Sequence, residues 1–157
     1  MEILKQRAED DCAICCIAMA LNRPYEDVMI AALESGAYKP GEGTYRPDEI
    51  LRSLGEWSAI DEPFGTFIYR FKDRCLSTEF FRTLAWGRRA LMSVSSLNFP
   101  DKYHMIYWDG STIYDPSNLK IYASFEELHP RSLILFREAG DPGDRLTNDE
   151  DGGNYAS

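Results

Sequence analysis

Four side chains of complementary chemistry stand out in the sequence: the thiol of Cys12, the imidazole of His104, the carboxylate of Asp115 and the carboxamide of Gln6. A thiol attacks an acyl carbon efficiently when a base takes its proton and a third group orients that base. An N–H donor must then hold the charge that builds on the carbonyl oxygen. Nucleophile, base, orienter and oxyanion donor are thus all available, and the fold must bring them together.

Cys12 lies in QRAEDDC, which runs into the apolar segment AICCIAMALN. Asp10 and Asp11 precede that segment and either can accept backbone N–H bonds as an N-cap, so a helix is expected to begin close to Cys12. The exposed N–H groups and positive dipole end of a helix start favour a thiolate, and the two aspartates oppose it. A histidine partner outweighs both effects. The helix is nearly apolar all round through Cys15, Cys16, Ile17, Met19 and Leu21, which predicts a buried central helix ended by Asn22. Pro24 fits the first turn of a second helix, with Val28, Met29, Ala32 and Leu33 as its core stripe and Gly36 as its stop. After the loop KPGEGTYRP, a short helix is predicted from about Pro47 to Leu54, closed by Gly55, with Ile50, Leu51 and Leu54 as its apolar stripe.

His104 and Asp115 lie in YHMIYWDGSTIYDPS, two strand-like runs separated by Asp109-Gly110, a strong hairpin signal. With those two residues as the loop, Trp108 pairs with Ser111, Tyr107 with Thr112, Ile106 with Ile113, Met105 with Tyr114 and His104 with Asp115. Directly opposed residues share a face of the sheet, so the carboxylate is expected beside the imidazole. A four-residue loop is expected to preserve these pairings, whereas a three-residue loop would move Asp115 to the other face. Further extended segments are predicted around Phe64 to Phe71, from Arg89 to Ser95, from Asn118 to Tyr122 and from Ser132 to Arg137. A helix is predicted around Ser77 to Leu84 and a short helical turn from Ser124 to Leu128.

Each of these residues also has a plainer reading. Free cysteine is among the most buried residue types, and Cys15 and Cys16 are best read as core. Cys12 and Cys15 spell C-x-x-C, a redox or half-zinc signature, but no strand leads into the helix and no second cysteine pair completes a metal set. A reversible Cys12–Cys15 disulfide remains an open oxidative alternative. Asp115 before Pro116 also suits a turn, and His129 beside Pro130 reads as a loop residue. Gln6 alone needs no explanation beyond a surface position.

At 157 residues and 44% hydrophobic composition, the chain can bury one core. One domain is expected over residues 1–139, followed by an acidic tail over 140–157 with too few apolar residues to fold. A net charge of -9 argues against a nucleic-acid partner, which needs clustered cations. No apolar window is long enough to cross a bilayer and the N-terminus has no signal-like apolar region, so no membrane partner and a cytoplasmic location are expected. In that compartment Cys12, Cys15, Cys16 and Cys75 should be free thiols. Motifs for serine hydrolases, zinc peptidases and nucleotide binding are missing, and neither a cofactor nor a metal is expected.

The order Gln6, Cys12, His104, Asp115, with QRAEDDC-A and HMIYWDGSTIYDP, resembles the papain-like cysteine peptidases, and within them the bacteriocin-processing, double-glycine leader peptidases. The resemblance implies a papain-like α+β fold, with an N-terminal helical half carrying Cys12 packed on a C-terminal antiparallel sheet carrying His104 and Asp115. It further implies a cysteine peptidase that cuts a peptide or isopeptide bond in a protein or peptide substrate, with Gln6 and the Cys12 backbone N–H as oxyanion donors. Two departures limit it. Ala13 stands where glycine commonly follows the nucleophile, and the transporter parts to which the bacteriocin enzymes are joined are missing, so their substrate class does not carry over. Gly152-Gly153 lacks the apolar residues expected upstream of a self-cleavage site. A non-catalytic papain-like binding or inhibitory protein, and an acyl transferase or deamidase using the same residues, remain open.

Overall fold

The apolar run after Asp11 forms α1 (Cys12–Leu21), in which every residue from Ala13 to Ala20 is buried. Asn22 ends it in the left-handed conformation, at φ 52, returning its N–H to the carbonyls of Ala18 and Met19. Asn tolerates this region better than most residues, so the chain turns sharply without a glycine. The structure, a computed structural model, describes residues 3–44, 46–55, 66–70, 83–95, 103–118, 120–122 and 130–136. The predicted tail, Cys75, His129 and the turn from Ser124 to Leu128 lie outside the described residues.

Pro24 stands just before α2 (Tyr25–Ser35), with Glu26 and Asp27 in the first turn, where the helix dipole favours negative charge. Gly36 closes the helix at φ 75. Val28 and Ala32 are buried and Met29 packs against the core as predicted, but Ala31 takes the inward place expected of Leu33, which is 49% exposed. The Gly/Pro-rich loop that follows is not wholly irregular: it holds a small ladder between β1 (Tyr38–Lys39) and β2 (Gly43–Thr44). Then α3 (Pro47–Ser53), with proline in its first turn, buries Ile50 and Leu51 completely.

The rest of the described chain forms one sheet of β3 (Thr66–Arg70), β4 (Ala90–Ser95), β5 (Tyr103–Trp108), β6 (Ile113–Asp115), β7 (Lys120–Tyr122) and β8 (Pro130–Phe136). Its order is β3-β8-β4-β5-β6-β7, and every neighbouring pair is antiparallel. The described part of the predicted helix ending at Leu84 is a helical turn over residues 83–85. The molecule is therefore mixed α+β, and α1 packs on β5 and β4.

Strand alternation divides the apolar residues between the two faces of the sheet. Leu91, Tyr107, Ile134 and Phe136 join the core under the helices, while Met92, Ile106, Trp108, Leu133 and Leu135 form a second core. By the same parity Met105 belongs to the face under α1, and His104 shares its pleat with Ile106 and Trp108. Among the described residues no helix is long and apolar enough to cross a membrane.

Candidate active site

The β5–β6 hairpin carries the imidazole and the carboxylate, in a register that differs from the predicted one. Tyr107 pairs with Tyr114 and Trp108 with Ile113, so the loop has four residues, Asp109 to Thr112. A two-residue Asp-Gly turn needs positive φ at both positions. Among the described residues Asn22 is the one non-glycine with positive φ, so only Gly110, at φ 113, meets that need. The Asp109 side chain instead accepts the N–H groups of Ser111 at 2.9 Å and Thr112 at 2.8 Å and the Tyr114 hydroxyl at 2.9 Å. Gly110 is pressed against the neighbouring turn, and its carbonyl accepts the Gly87 N–H at 2.8 Å.

This four-residue loop is centred on Gly110-Ser111 rather than on Asp109-Gly110, so every predicted partner moves by two. The shift is even, so the faces are kept. Asp115 lies diagonally across from His104 on the same face, within reach of a side chain. The carboxylate Oδ1 is 2.7 Å from His104 Nε2.

The same register explains how Cys12 reaches this pair. Asp109 donates its N–H to the Thr112 carbonyl at 3.1 Å, marking a hydrogen-bonded position of the ladder. These positions alternate, so Met105 also turns its N–H and carbonyl towards β6, where the continuing register offers Pro116. Proline has no N–H to give. The ladder stops, and the Met105 peptide groups bind helix thiols instead: its N–H donates to Cys12 Sγ at 3.4 Å, and Cys16 Sγ donates to its carbonyl at 3.3 Å. The freed Pro116 carbonyl accepts the Gln6 N–H at 2.9 Å. Through this seam a thiol from the helix side meets an imidazole rooted on the opposite pleat.

Burial alone would push the His104 imidazole down. Hydrogen bonds to Asp115 and to Cys12, with the charges of both, outweigh it and hold the ring up at about 9. Burial tends to raise Asp115, but hydrogen bonds from His104 and Ser117 overcome this and keep its carboxyl below the ordinary range. Ser117 supplies two of those bonds to Oδ1, from its hydroxyl at 2.7 Å and its N–H at 2.9 Å. Ser117 and Pro116 were not singled out from the sequence, although Asp-Pro-Ser is a turn signature that could have pointed to them.

The three helix thiols are free and differ sharply in setting. Burial drives Cys15 up to about 12, helped by the charges of Asp11 and Cys12, and drives Cys16 well above the ordinary thiol value. Cys12 is partly exposed and is one of the groups that raise His104. That contrast sets one accessible thiol apart from two buried ones, and a buried Cys15 held at about 12 is a poor redox partner.

Gln6 is brought to the turn after Asp115 through its backbone. Its carboxamide donates one N–H to the Ala8 carbonyl at 3.0 Å, and Oε1 is buried without a partner. The expected caps also differ: neither aspartate caps α1 through its side chain. Asp11 binds the N–H groups of Arg7 and Ala8 and the Tyr25 hydroxyl. Asp10 accepts the Tyr38 hydroxyl at 2.9 Å and the Gly41 N–H at 2.5 Å. Among the described residues no cluster of three His, Cys, Asp or Glu side chains is arranged to hold a metal ion. No family model matches the sequence, and no curated protein matches it.

Proposed function

We propose that the protein is a papain-like cysteine hydrolase that cuts a peptide or isopeptide bond in a protein or peptide substrate. The observation that carries the reading is the position of His104, bound to Asp115 at 2.7 Å and held up in pKa by Asp115 together with the Cys12 thiol. His104 takes the Cys12 thiol proton as Sγ bonds to the acyl carbon, and the C–N bond breaks as His104 passes that proton to the leaving amine. Water then attacks the thioester, His104 takes a proton from it, and the carboxylic acid leaves as the thiol is restored. Asp115 keeps the imidazole oriented and balances its charge. The Cys12 N–H and the second amide hydrogen of Gln6 are the proposed oxyanion donors. An attacking amine in place of water would give acyl transfer, and a glutamine side chain as substrate would give deamidation, by the same steps.

Limited reaction with iodoacetamide followed by peptide mapping tests the reading. Modification should concentrate on Cys12 and be lost in His104→Ala. Equal modification of all four cysteines in the native protein would count against it.

A second reading, a papain-like shell retained for binding without turnover, draws on the Gln6 amide bond to Ala8. It requires Cys12→Ala to keep every effect of the protein on its partner.

A further inference from the structure

Asp11 is completely buried, directly precedes the proposed nucleophile, and takes no part in the chemistry above. Its oxygens are nonetheless fully engaged. Oδ2 accepts the Arg7 N–H at 3.0 Å and the Tyr25 hydroxyl at 2.6 Å, and Oδ1 accepts the Ala8 N–H at 3.2 Å. The backbone carbonyl of Asp11 accepts the Cys15 N–H at 3.2 Å and opens the helix. Ala8, whose N–H is held by Oδ1, presents the carbonyl of its following peptide to Gln6 Nε2. Burial, with Asp11 next to it, pushes the Tyr25 phenol well up, so Tyr25 stays a donor across the working pH range.

We infer that Asp11 and Tyr25 are positioning residues for the oxyanion donor. The carboxylate fixes the Arg7 and Ala8 peptides, the Ala8 carbonyl fixes the plane of the Gln6 carboxamide, and the second hydrogen on Nε2 is left aimed rather than freely rotating. Tyr25, from α2, orients the carboxylate, so the second helix is coupled to the chemistry without touching substrate. The inference rests on the cysteine-hydrolase reading.

Two reactions of Cys12 separate positioning from general support of the fold. With iodoacetamide the sulfur displaces iodide at a saturated carbon and no oxyanion forms. With p-nitrophenyl acetate the carbonyl oxygen gains charge before p-nitrophenolate leaves and an acetyl thioester remains. Removing an oxyanion donor outright costs about 10²- to 10³-fold, so loosening one should slow acylation by Tyr25→Phe about tenfold or more, with alkylation unchanged. Gln6→Ala should give the same split, and adding Tyr25→Phe to it should lower acylation little further, because the two act through one donor. Tyr25→Phe keeps the ring and its packing, which avoids the folding risk of replacing Asp11.

Acylation at the wild-type rate in Tyr25→Phe overturns the inference. So does a parallel loss of acylation and alkylation, which marks a purely structural role. Failure of the wild-type protein to acylate at Cys12, or alkylation indifferent to His104→Ala, overturns the hydrolase reading itself.

Discussion

Two acidic clusters flank Cys12, and they are built in opposite ways. Asp115 meets His104 through the regular parity of a hairpin, in which any even change of loop length keeps both side chains on one face. Asp10 and Asp11 act through irregular chain: Asp11 holds the Arg7 and Ala8 peptides and Asp10 holds the β1–β2 turn. The hairpin tolerates an error of two residues in its register and still delivers the pair. The loop has no such tolerance, since each bond joins particular atoms.

If that contrast is sound, the largest effects should come from the hairpin pair. His104→Ala should lower the alkylation rate of Cys12 by about 10²- to 10⁴-fold, the range of a positioned acid–base group. Measured second-order rates for the two proteins check this. Next is Gly110→Ala, which forces a side chain onto a backbone at φ 113 and sets its Cβ 3.1 Å from the Gly87 carbonyl carbon. It should cost about 1–3 kcal/mol of stability, read by urea unfolding. Asp109→Ala should cost about 1–3 kcal/mol in the same assay, because it strips the side-chain acceptor from two loop N–H groups and the Tyr114 hydroxyl. Tyr25→Phe should cost about 1.5–3 kcal/mol, the range for a hydrogen bond to a charged group, since its hydroxyl donates to the buried Asp11 carboxylate.

The pair also sets a pH window. His104 is raised in the folded state to about 9, so the stability it contributes is fully present below its ordinary value and is lost as pH rises through about 9. Asp115 is lowered, so its contribution is present above the ordinary carboxylate range and is lost as pH falls through its depressed value. The stability difference between wild type and Asp115→Asn should therefore be greatest near neutral pH and shrink at both extremes. Unfolding midpoints at about pH 3, 7 and 10 measure it.

What was legible in the sequence follows the same division. The start of α1 at Cys12, its burial and its end at Asn22 were readable because apolar periodicity and a left-handed cap are local signals. The approach of His104 to Asp115 was readable as parity, but the register was not: Asp109 closes the loop on the loop's own N–H groups, and Gly110 packs on Gly87, in a turn more than twenty residues earlier. The roles of Asp11 and Tyr25 were hidden for a related reason. An aspartate before an apolar run looks like a cap, and nothing local reveals that a tyrosine on the next helix engages it. Leu33 was assigned to the core from helical spacing, yet that side of α2 has no described element over it, and the smaller Ala31 faces inward.

That Cys12, His104 and Asp115 form one coupled unit is tested most directly by an NMR titration of the His104 ring in wild type, Cys12→Ala and Asp115→Asn. The expected result is a wild-type midpoint near 9 that falls in both variants, since each removes a hydrogen bond holding the proton. A wild-type midpoint near the ordinary value of about 6.5, or one unmoved by Cys12→Ala, would contradict it.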